Sequence, residues 1–348
     1  MLTRTSSPKR IAVAVSGGVD SSTTAHLLKE AGHRVTGVFI TIRNPSHLSC
    51  SSSEDRQHAM RACATLTIPF LDFDATEVYR EQVINPFVAA YKAGETPNPD
   101  VLCNSAVKFD ALASFVFDRG FDVLATGHYA RTQNADGDTR LVRSVDEEKD
   151  QTYFIYTIPS SVLQKTWFPI GGYTKQQVRS LAKDAGLPAA EKKDSVGLCF
   201  LGDVSMKTFL SAYLSETVGA VETEDGTSIG DHDGVRFYTL GQRHGFRTSV
   251  QKPQVVVGRD LERNVLVVAD TADSAKKTSF HLKNSLFRQD PTHAVVARYR
   301  HQGPLCPVTV ASNGTEVRFA DPQLIAPGQS VVLYTEDGEC LGGGVVCP

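Results

Sequence analysis

The sequence predicts an α/β chain in three parts: an N-terminal parallel sheet covered by helices, a small β-rich central domain, and a C-terminal β-barrel. Three observations carry this expectation. Strand-like β-branched runs alternate with helical patterns through the first half, the signature of a parallel sheet with helices on both faces. One of these runs, Ala12–Val15, ends in Ser16-Gly17-Gly18 and passes directly into a helical pattern. From about Gly219 onward, short Val/Thr/Tyr-rich runs are separated by Asp225-Gly226, Asp233-Gly234, Asn313-Gly314, Pro327-Gly328 and Asp337-Gly338, the punctuation of antiparallel β domains. Domain limits are expected at 1–204, 205–275 and 276–348, with a linker near Ala272–Ser279.

In chain order, Ile11–Val15 reads as a strand and Ser21–Ala31 as a helix closed by Gly32. Val35–Ile40 leads through a polar loop to a helix near Glu54–Leu66, introduced by the capping-box pattern Ser51-x-x-Glu54. Phe70–Phe73 precedes a long helix near Glu77–Lys92, and another helix spans about Ser105–Asp118. Asp122–Thr126 reads as a strand that runs into Gly127-His128-Tyr129. Ligands of such sheets bind beyond the carboxyl ends of the strands, so Ser16–Ser21 and Gly127-His128 are expected to meet there. Arg140–Arg143 reads as an excursion strand, Thr174–Ala185 as an amphipathic helix ended by Gly186, and Ser205–Leu214 as a short helix.

A formal charge of −3, 41% apolar and 22% charged residues describe a soluble globular chain and exclude a uniformly basic nucleic-acid binder. A local basic face remains open, since Arg243–Arg247, Lys276-Lys277 and Arg298–His301 are clustered. No apolar run reaches the roughly 20 residues of a membrane helix, so no membrane partner is expected. Met1–Arg10 is basic and hydroxyl-rich, which leaves an organellar origin as the lesser alternative to a frayed terminus. Seven cysteines, odd in number and widely spaced, argue against a disulfide scaffold. His47, Cys50, His58 and Cys63 offer four potential ligands, but their spacing departs from common zinc patterns and no protein-bound metal is expected.

Chemistry concentrates in three stretches. Adjacent glycines at Gly17-Gly18 let successive N–H groups converge, and the following helix adds its positive end, so the turn suits an anion such as a phosphate. The loop lacks the Gly-Lys-Ser/Thr ending of a Walker A motif. Cys103 follows Thr96-Pro97-Asn98-Pro99-Asp100, read as a rigid extended loop before a helix; a helix N-terminus favours the thiolate, and Asp100 is near enough to move a proton. Cys199 follows Lys192-Lys193-Asp194, whose lysines favour a thiolate likewise. Taken singly, either cysteine also reads as a small buried hydrophobe.

Taken in order, these stretches form a pattern. Ser16-Gly17-Gly18-Val19-Asp20-Ser21-Ser22, Tyr91–Asp100 with Cys103-Asn104, Ala125–Tyr129, Lys149–Phe154 and Lys193-Asp194-Ser195 with Cys199-Phe200 are followed by Thr239–Arg243, Arg298-Tyr299-Arg300, Pro327–Ser330 and Leu341–Gly344. The chain resembles the bacterial tRNA-specific 2-thiouridylases along nearly its whole length. The resemblance implies an adenine nucleotide alpha hydrolase-like, PP-loop domain and a transferase that moves sulfur to C2 of the wobble uridine (position 34) of tRNA. It implies ATP with Mg2+, held by Ala14, Val15, Ser16, Gly17, Gly18, Val19, Asp20, Ser21, Ile40 and Gly127. It implies a persulfide on Cys199, attack by Cys103 to leave a transient Cys103–Cys199 disulfide, and Asp100 as the acid/base group. Asn98, Pro99 and Asp100 match positions at the target base, and His128, Lys149, Asp150, Gln151, Arg298, Tyr299 and Gln329 match tRNA contacts. The implied partners are the wobble-uridine tRNAs for Lys, Glu and Gln and a sulfur-relay protein or cysteine desulfurase, in a bacterial cytoplasm.

Two departures from the family pattern stand out. Ile40-Thr41-Ile42-Arg43 replaces the usual Met-Lys-Asn-Trp, and Ser105 replaces a lysine while Lys108 keeps the second one. Two other functions share parts of the pattern: a PP-loop ligase acting on a small metabolite, and an RNA-binding module on a nucleotide fold. The first leaves Cys103, Cys199 and the β-rich half unexplained, and the second leaves the intact loop unexplained.

Overall fold

The computed structural model describes residues 7–43, 52–135, 137–192, 205–215 and 217–348. The chain divides into two compact units: Met1–Ile84, Pro99–Asp203 and Tyr334–Gly342 in the first, and Asn85–Asn98, Val204–Leu333 and Gly343–Pro348 in the second.

The first unit opens with β1 (Arg10–Ala14), α1 (Val19–Glu30), β2 (Arg34–Thr41), α2 (Ser52–Thr65) and β3 (Phe70–Asp74). Ile11, Ala12 and Val13 are wholly buried, as a strand covered on both faces requires. Two buried hydroxyls of helix α1 are paired within the helix: Ser22 Oγ donates to the Gly18 carbonyl (2.9 Å) and Thr23 Oγ1 to that of Val19 (2.8 Å). The helix stops at Gly32, whose φ of +89° lets the His33 amide reach back to the Leu28 carbonyl.

The long helix expected over Glu77–Lys92 is not regular. Helix α3 covers Thr76–Tyr79, a π-helical segment covers Arg80–Ile84, and in the second unit α4 covers Asn85–Lys92. Pro86 supplies the reason: it has no amide to donate, and its ring crowds the preceding turn, which the widened π segment accommodates. The helix expected from Ser105 begins earlier. Helix α5 covers Pro99–Cys103, a π segment covers Asn104–Ala111, and α6 covers Leu112–Asp118. Proline suits the first helical position, where its missing amide costs nothing. The extended loop expected before Cys103 is therefore helix from Pro99 onward.

Strand β4 (Val123–Thr126) returns to the sheet, followed by a hairpin of β5 (Ala130–Ala135) and β6 (Asp138–Arg143), short helices α7 (Thr152–Ile155) and α8 (Ser160–Leu163), β7 (Thr166–Trp167) and α9 (Lys175–Asp184). The expected excursion strand is the second arm of that hairpin. The five-stranded sheet runs β3-β2-β1-β4-β7, with every pair parallel. The chain winds outward from β1 through β2 and β3, then returns to β4 on the other side of β1. The crevice beyond the β1 and β4 carboxyl ends is thus the topological switch point.

In the second unit α10 (Met206–Ser211) is capped by Ser205, whose Oγ accepts from the Thr208 amide at 3.1 Å. Strands β8 (Gly219–Thr223), β9 (Ser228–His232), β10 (Arg247–Thr248), β11 (Val255–Asp260) and β12 (Val265–Ala269) form a sheet in the order β10-β9-β8-β12-β11. Its core is Val221, Val235, Tyr238, Val256, Leu266 and Val268. A closed barrel follows, β13-β16-β15-β14-β17-β18, built from β13 (Lys277–Phe287), β14 (Val296–Arg298), β15 (Cys306–Val310), β16 (Glu316–Gln323), β17 (Ser330–Tyr334) and β18 (Cys340–Val346). Closure removes the exposed edges that short strands would otherwise present. The stretch read as a linker is a single turn at Asp273–Ala275, after which β13 begins at Lys277.

Candidate active site

The loop between β1 and α1 is shaped by hydroxyl and glycine chemistry. Ser21 Oγ accepts from the Ser16 amide (3.1 Å) and donates to the Gly18 carbonyl (3.3 Å), while Ser16 Oγ lies 3.2 Å from Ser21 Oγ. Gly18 is the N-cap of α1 and supplies no side-chain acceptor to the first turn. Those amides and the helix dipole therefore favour an anionic group at this end.

Two glycines make the crevice. Gly17 has φ +76°, and a Cβ there would lie 2.6 Å from the Asp55 carbonyl oxygen and 2.7 Å from His58 Cβ on α2. A Cβ at Gly127, just past β4, would lie 2.7 Å from the Ser21 amide nitrogen and 2.9 Å from the Asp20 carbonyl carbon. Only glycine lets the end of β4 close against the first turn of α1. The structure thus brings together Ser16, Gly17, Gly18, Val19, Asp20, Ser21 and Gly127, while Ala14 ends β1, Val15 follows it as a buried residue and Ile40 is buried near the end of β2.

Asp20, in the first turn of α1, accepts from Tyr129 Oη (2.9 Å) and from Lys175 Nζ at 2.8 Å on each carboxylate oxygen. The Lys175 amide donates to Asp146 Oδ2 (2.8 Å), and the Lys149 amide donates to Asp146 Oδ1 (3.2 Å). The Gln151 side chain accepts from the Tyr129 amide (3.0 Å), and its own amide donates to the Tyr129 carbonyl (2.9 Å). The nucleotide-type loop and segment 149–151 therefore share one hydrogen-bonded framework through Tyr129, Lys175 and Asp146. Lys175 and Asp146 escaped the sequence analysis. One signal was available: Lys175 is the first residue of α9, the helix end that repels a cation, so a carboxylate nearby was to be expected.

The Asp150 carboxylate is wholly buried, accepting from the Ser144 amide (3.1 Å) and from Thr152 Oγ1 (2.9 and 3.1 Å), with Arg143 Nε at 3.8 Å. Its charge is turned inward and none of it reaches the surface. His128 is buried too, with Nδ1 2.8 Å from Thr126 Oγ1 and its ring beside Phe109 and Phe168. Burial, then the nearby Lys108, holds its imidazole well below the usual pKa, so it is neutral at pH 7.

Cys103, the last residue of α5, is fully buried. The argument from a following helix N-terminus does not apply to it, since helix already precedes it. Asp100 sits one turn earlier and is partly buried. Cys199 lies outside the described residues, and so do His47 and Cys50 of the four-ligand cluster. Of the cluster's other members, Cys63 packs at Gly37 and burial pushes its thiol up to about 11, while His58 faces Glu54 at 3.5 Å. Lys192, read as a neighbour favouring a Cys199 thiolate, pairs with Asp55 at 2.9 Å.

In the second unit, Thr96 is tied down on three sides. Its amide donates to the Pro327 carbonyl (2.7 Å), its Oγ1 lies 2.8 Å from Thr239 Oγ1, and its carbonyl accepts from Gln329 Nε2. This fixes the approach to Asn98. Arg298 is buried at the end of β14, and Tyr299 Oη donates to Gln323 Oε1 at 2.9 Å.

Family models match in three consecutive segments: a tRNA methyl transferase HUP domain over 9–203, a tRNA methyl transferase PRC-barrel domain over 207–270, and an aminomethyltransferase beta-barrel domain over 275–346. The tRNA-specific 2-thiouridylase MnmA of Lysinibacillus sphaericus is 41% identical, over 99% of this chain and 96% of its own length. Those of Bacillus licheniformis and Francisella tularensis subsp. holarctica are each 42% identical over 97% of this chain, covering 94% and 99% of their own lengths. The chain belongs to the tRNA-specific 2-thiouridylase family. Within this 2-thiouridylase-family chain, the HUP-domain match spans the parallel sheet with its Ser16–Ser22 loop, and the closed six-stranded barrel is the third of the matched segments. Among the described residues no helix is long and apolar enough to cross a membrane, and no group of His, Cys, Asp and Glu residues forms a metal site.

Proposed function

We propose that this chain is a tRNA-uridine 2-sulfurtransferase that uses ATP to thiolate C2 of the wobble uridine, position 34, of tRNA. The observation that supports it most is the PP-loop crevice closed by Gly127, on a chain similar from end to end to 2-thiouridylases. The triphosphate would sit on the α1 end of the loop, with the adenine side against Ala14, Val15, Ile40 and Gly127. Mg2+ arrives with ATP and lends positive charge to the phosphates; Asp20, one-third exposed at the loop mouth, is the carboxylate suited to hold it.

The uridine O2 attacks the α-phosphorus, pyrophosphate leaves, and the adenylated oxygen becomes a good leaving group. Cys199 carries the persulfide. The Cys103 thiolate attacks the Cys199 sulfur, the terminal sulfur leaves as hydrosulfide, and a Cys103–Cys199 disulfide remains. Hydrosulfide adds at C2 and AMP departs with the former O2. A thiol reductant then returns both cysteines to thiols. Asp100 moves the proton that this exchange requires. The base must leave the anticodon stack to reach Asn98, Pro99 and Asp100. Lys149, Gln151, Tyr299 and Gln329 contact tRNA, while His128, Asp150 and Arg298, being buried, act by holding the backbone around them. Substrates are the tRNAs for Lys, Glu and Gln, sulfur comes from a relay protein or cysteine desulfurase, and the setting is the bacterial cytoplasm.

Pyrophosphate release with and without unmodified tRNA tests this function. Release that requires tRNA carrying U34 is expected. Release unaffected by tRNA would instead favour a ligase acting on a small metabolite.

A further inference from the structure

Resting on the ATP-site proposal above, we propose that Lys175 is a polyphosphate-binding residue of that site, held by Asp20 until nucleotide arrives. Lys175 is the first residue of the ten-residue helix α9, and its ammonium reaches the loop mouth to bridge both carboxylate oxygens of Asp20 at 2.8 Å. Asp20 is the second residue of α1, in the turn whose first amides face the crevice. The cation therefore stands at an anion site between the N-terminal ends of two helices.

Three features argue that this placement is built rather than incidental. A lysine at the first position of a helix opposes the dipole, so the chain pays for its position electrostatically. The Lys175 amide is fixed by Asp146 Oδ2 at 2.8 Å, and the Thr174–Gln177 capping box fixes the turn, so the stem of the side chain is aimed. The ammonium also lies 5.7 Å from the Tyr129 ring centroid, while Tyr129 Oη donates to the same Asp20 carboxylate. A short swing about the side-chain torsions would carry the ammonium from carboxylate to phosphate. One anion replaces another around a lysine that is only 13% exposed. Lysine suits this task, being a compact point charge on a flexible stem.

The test measures binding of ATP, inorganic pyrophosphate and adenosine by calorimetry, with EDTA present, so that no metal acts through Asp20. Proteins compared are wild type, Lys175→Met, Lys175→Arg and the double variant Asp20→Asn/Lys175→Met, each checked for wild-type circular dichroism. Loss of a charge-assisted phosphate contact predicts affinities for ATP and pyrophosphate about ten- to a hundredfold weaker in Lys175→Met, with adenosine unchanged. The double variant should stay as weak, and Lys175→Arg should recover part of the loss. Wild-type pyrophosphate affinity in Lys175→Met would overturn the proposal. So would recovery of wild-type affinity in the double variant, which would show that Lys175 merely screens Asp20. If Lys175→Met fails to fold, Lys175→Gln takes its place: weakened pyrophosphate affinity with adenosine unchanged would support the proposal, and wild-type pyrophosphate affinity would overturn it. A wild-type protein that binds neither ATP nor pyrophosphate under Mg2+ as well as EDTA would instead refute the ATP site itself.

Discussion

Replacing Gly127 by alanine adds one methyl group where the end of β4 meets α1. The new Cβ would stand 2.7 Å from the Ser21 amide nitrogen, 2.9 Å from the Asp20 carbonyl carbon and 3.0 Å from Ser21 Cα. All three are backbone atoms, so no side chain can rotate away. Reaching an ordinary contact of about 3.4 Å requires the strand end and the helix turn to part by roughly 0.7 Å, an overpacking that typically costs about 1–3 kcal/mol. The same shift displaces the loop amides, and a misplacement of that size near reacting groups costs up to about a hundredfold in rate. ATP affinity by calorimetry, tRNA-dependent pyrophosphate release and urea unfolding would be measured together. Gly172→Ala is the control, because Gly172 has no atom within 4 Å of its would-be Cβ. The expected result is a Gly127→Ala protein that is less stable, binds ATP about tenfold more weakly and turns over much more slowly. A variant that binds ATP within twofold of wild type and unfolds at the same urea concentration would refute the steric argument.

Two further outcomes follow from buried polar groups. Asp150→Ala leaves the Ser144 amide without its buried acceptor, while the Thr152 hydroxyl can turn to Tyr334 Oη at 3.1 Å, an expected loss of about 1–3 kcal/mol in urea unfolding, with tRNA affinity falling more than ATP affinity; a change under 0.5 kcal/mol, within the usual range of surface substitutions, would contradict the structural role. His128 is held below its unfolded pKa of 6.5 by burial, so the unfolded chain binds the extra proton first. Its contribution is intact above pH 6.5 and is lost as pH falls below that value toward the folded pKa, with a slope of at most about 1.4 kcal/mol per pH unit. His33 and His232 are lowered as well, so the informative quantity is the stability of wild type relative to His128→Asn, which should be flat above pH 7 and fall below 6.5. Parallel pH profiles for the two proteins would exclude the assigned burial effect.

Local chemistry was legible in the sequence, and long-range pairing was not. The strand–loop–helix at Ile11–Glu30 announces itself through a β-branched run, two glycines and a helix-ending glycine, all within twenty-odd residues. The barrel was legible because Asn313-Gly314, Pro327-Gly328 and Asp337-Gly338 punctuate its strands, and those glycines do take positive φ. The helix around Pro99 is hidden in the sequence because proline breaks a helix interior yet starts one at its first position. The irregularity before Pro86 follows from a rule visible in the sequence, yet the π form it takes depends on packing. Lys175 and Asp20 are 155 residues apart, and no periodicity links them. Their meeting needs the parallel sheet, in which β1 and β4 are neighbours, to be assembled first. The buried states of Asp150, His128 and Arg298 are likewise tertiary, since charged and polar residues in loops and at strand ends read as solvent-facing.

The most direct test of the central claim is mass analysis of nucleosides from U34-containing tRNA incubated with ATP, Mg2+, a persulfide source and enzyme, comparing wild type with Cys103→Ser and Cys199→Ser. The account predicts a 2-thiouridine derivative with wild type in single turnover from a persulfide source, and none with either variant. Thiolation that persists in both serine variants, or a wild-type protein that consumes ATP without modifying tRNA, would contradict it.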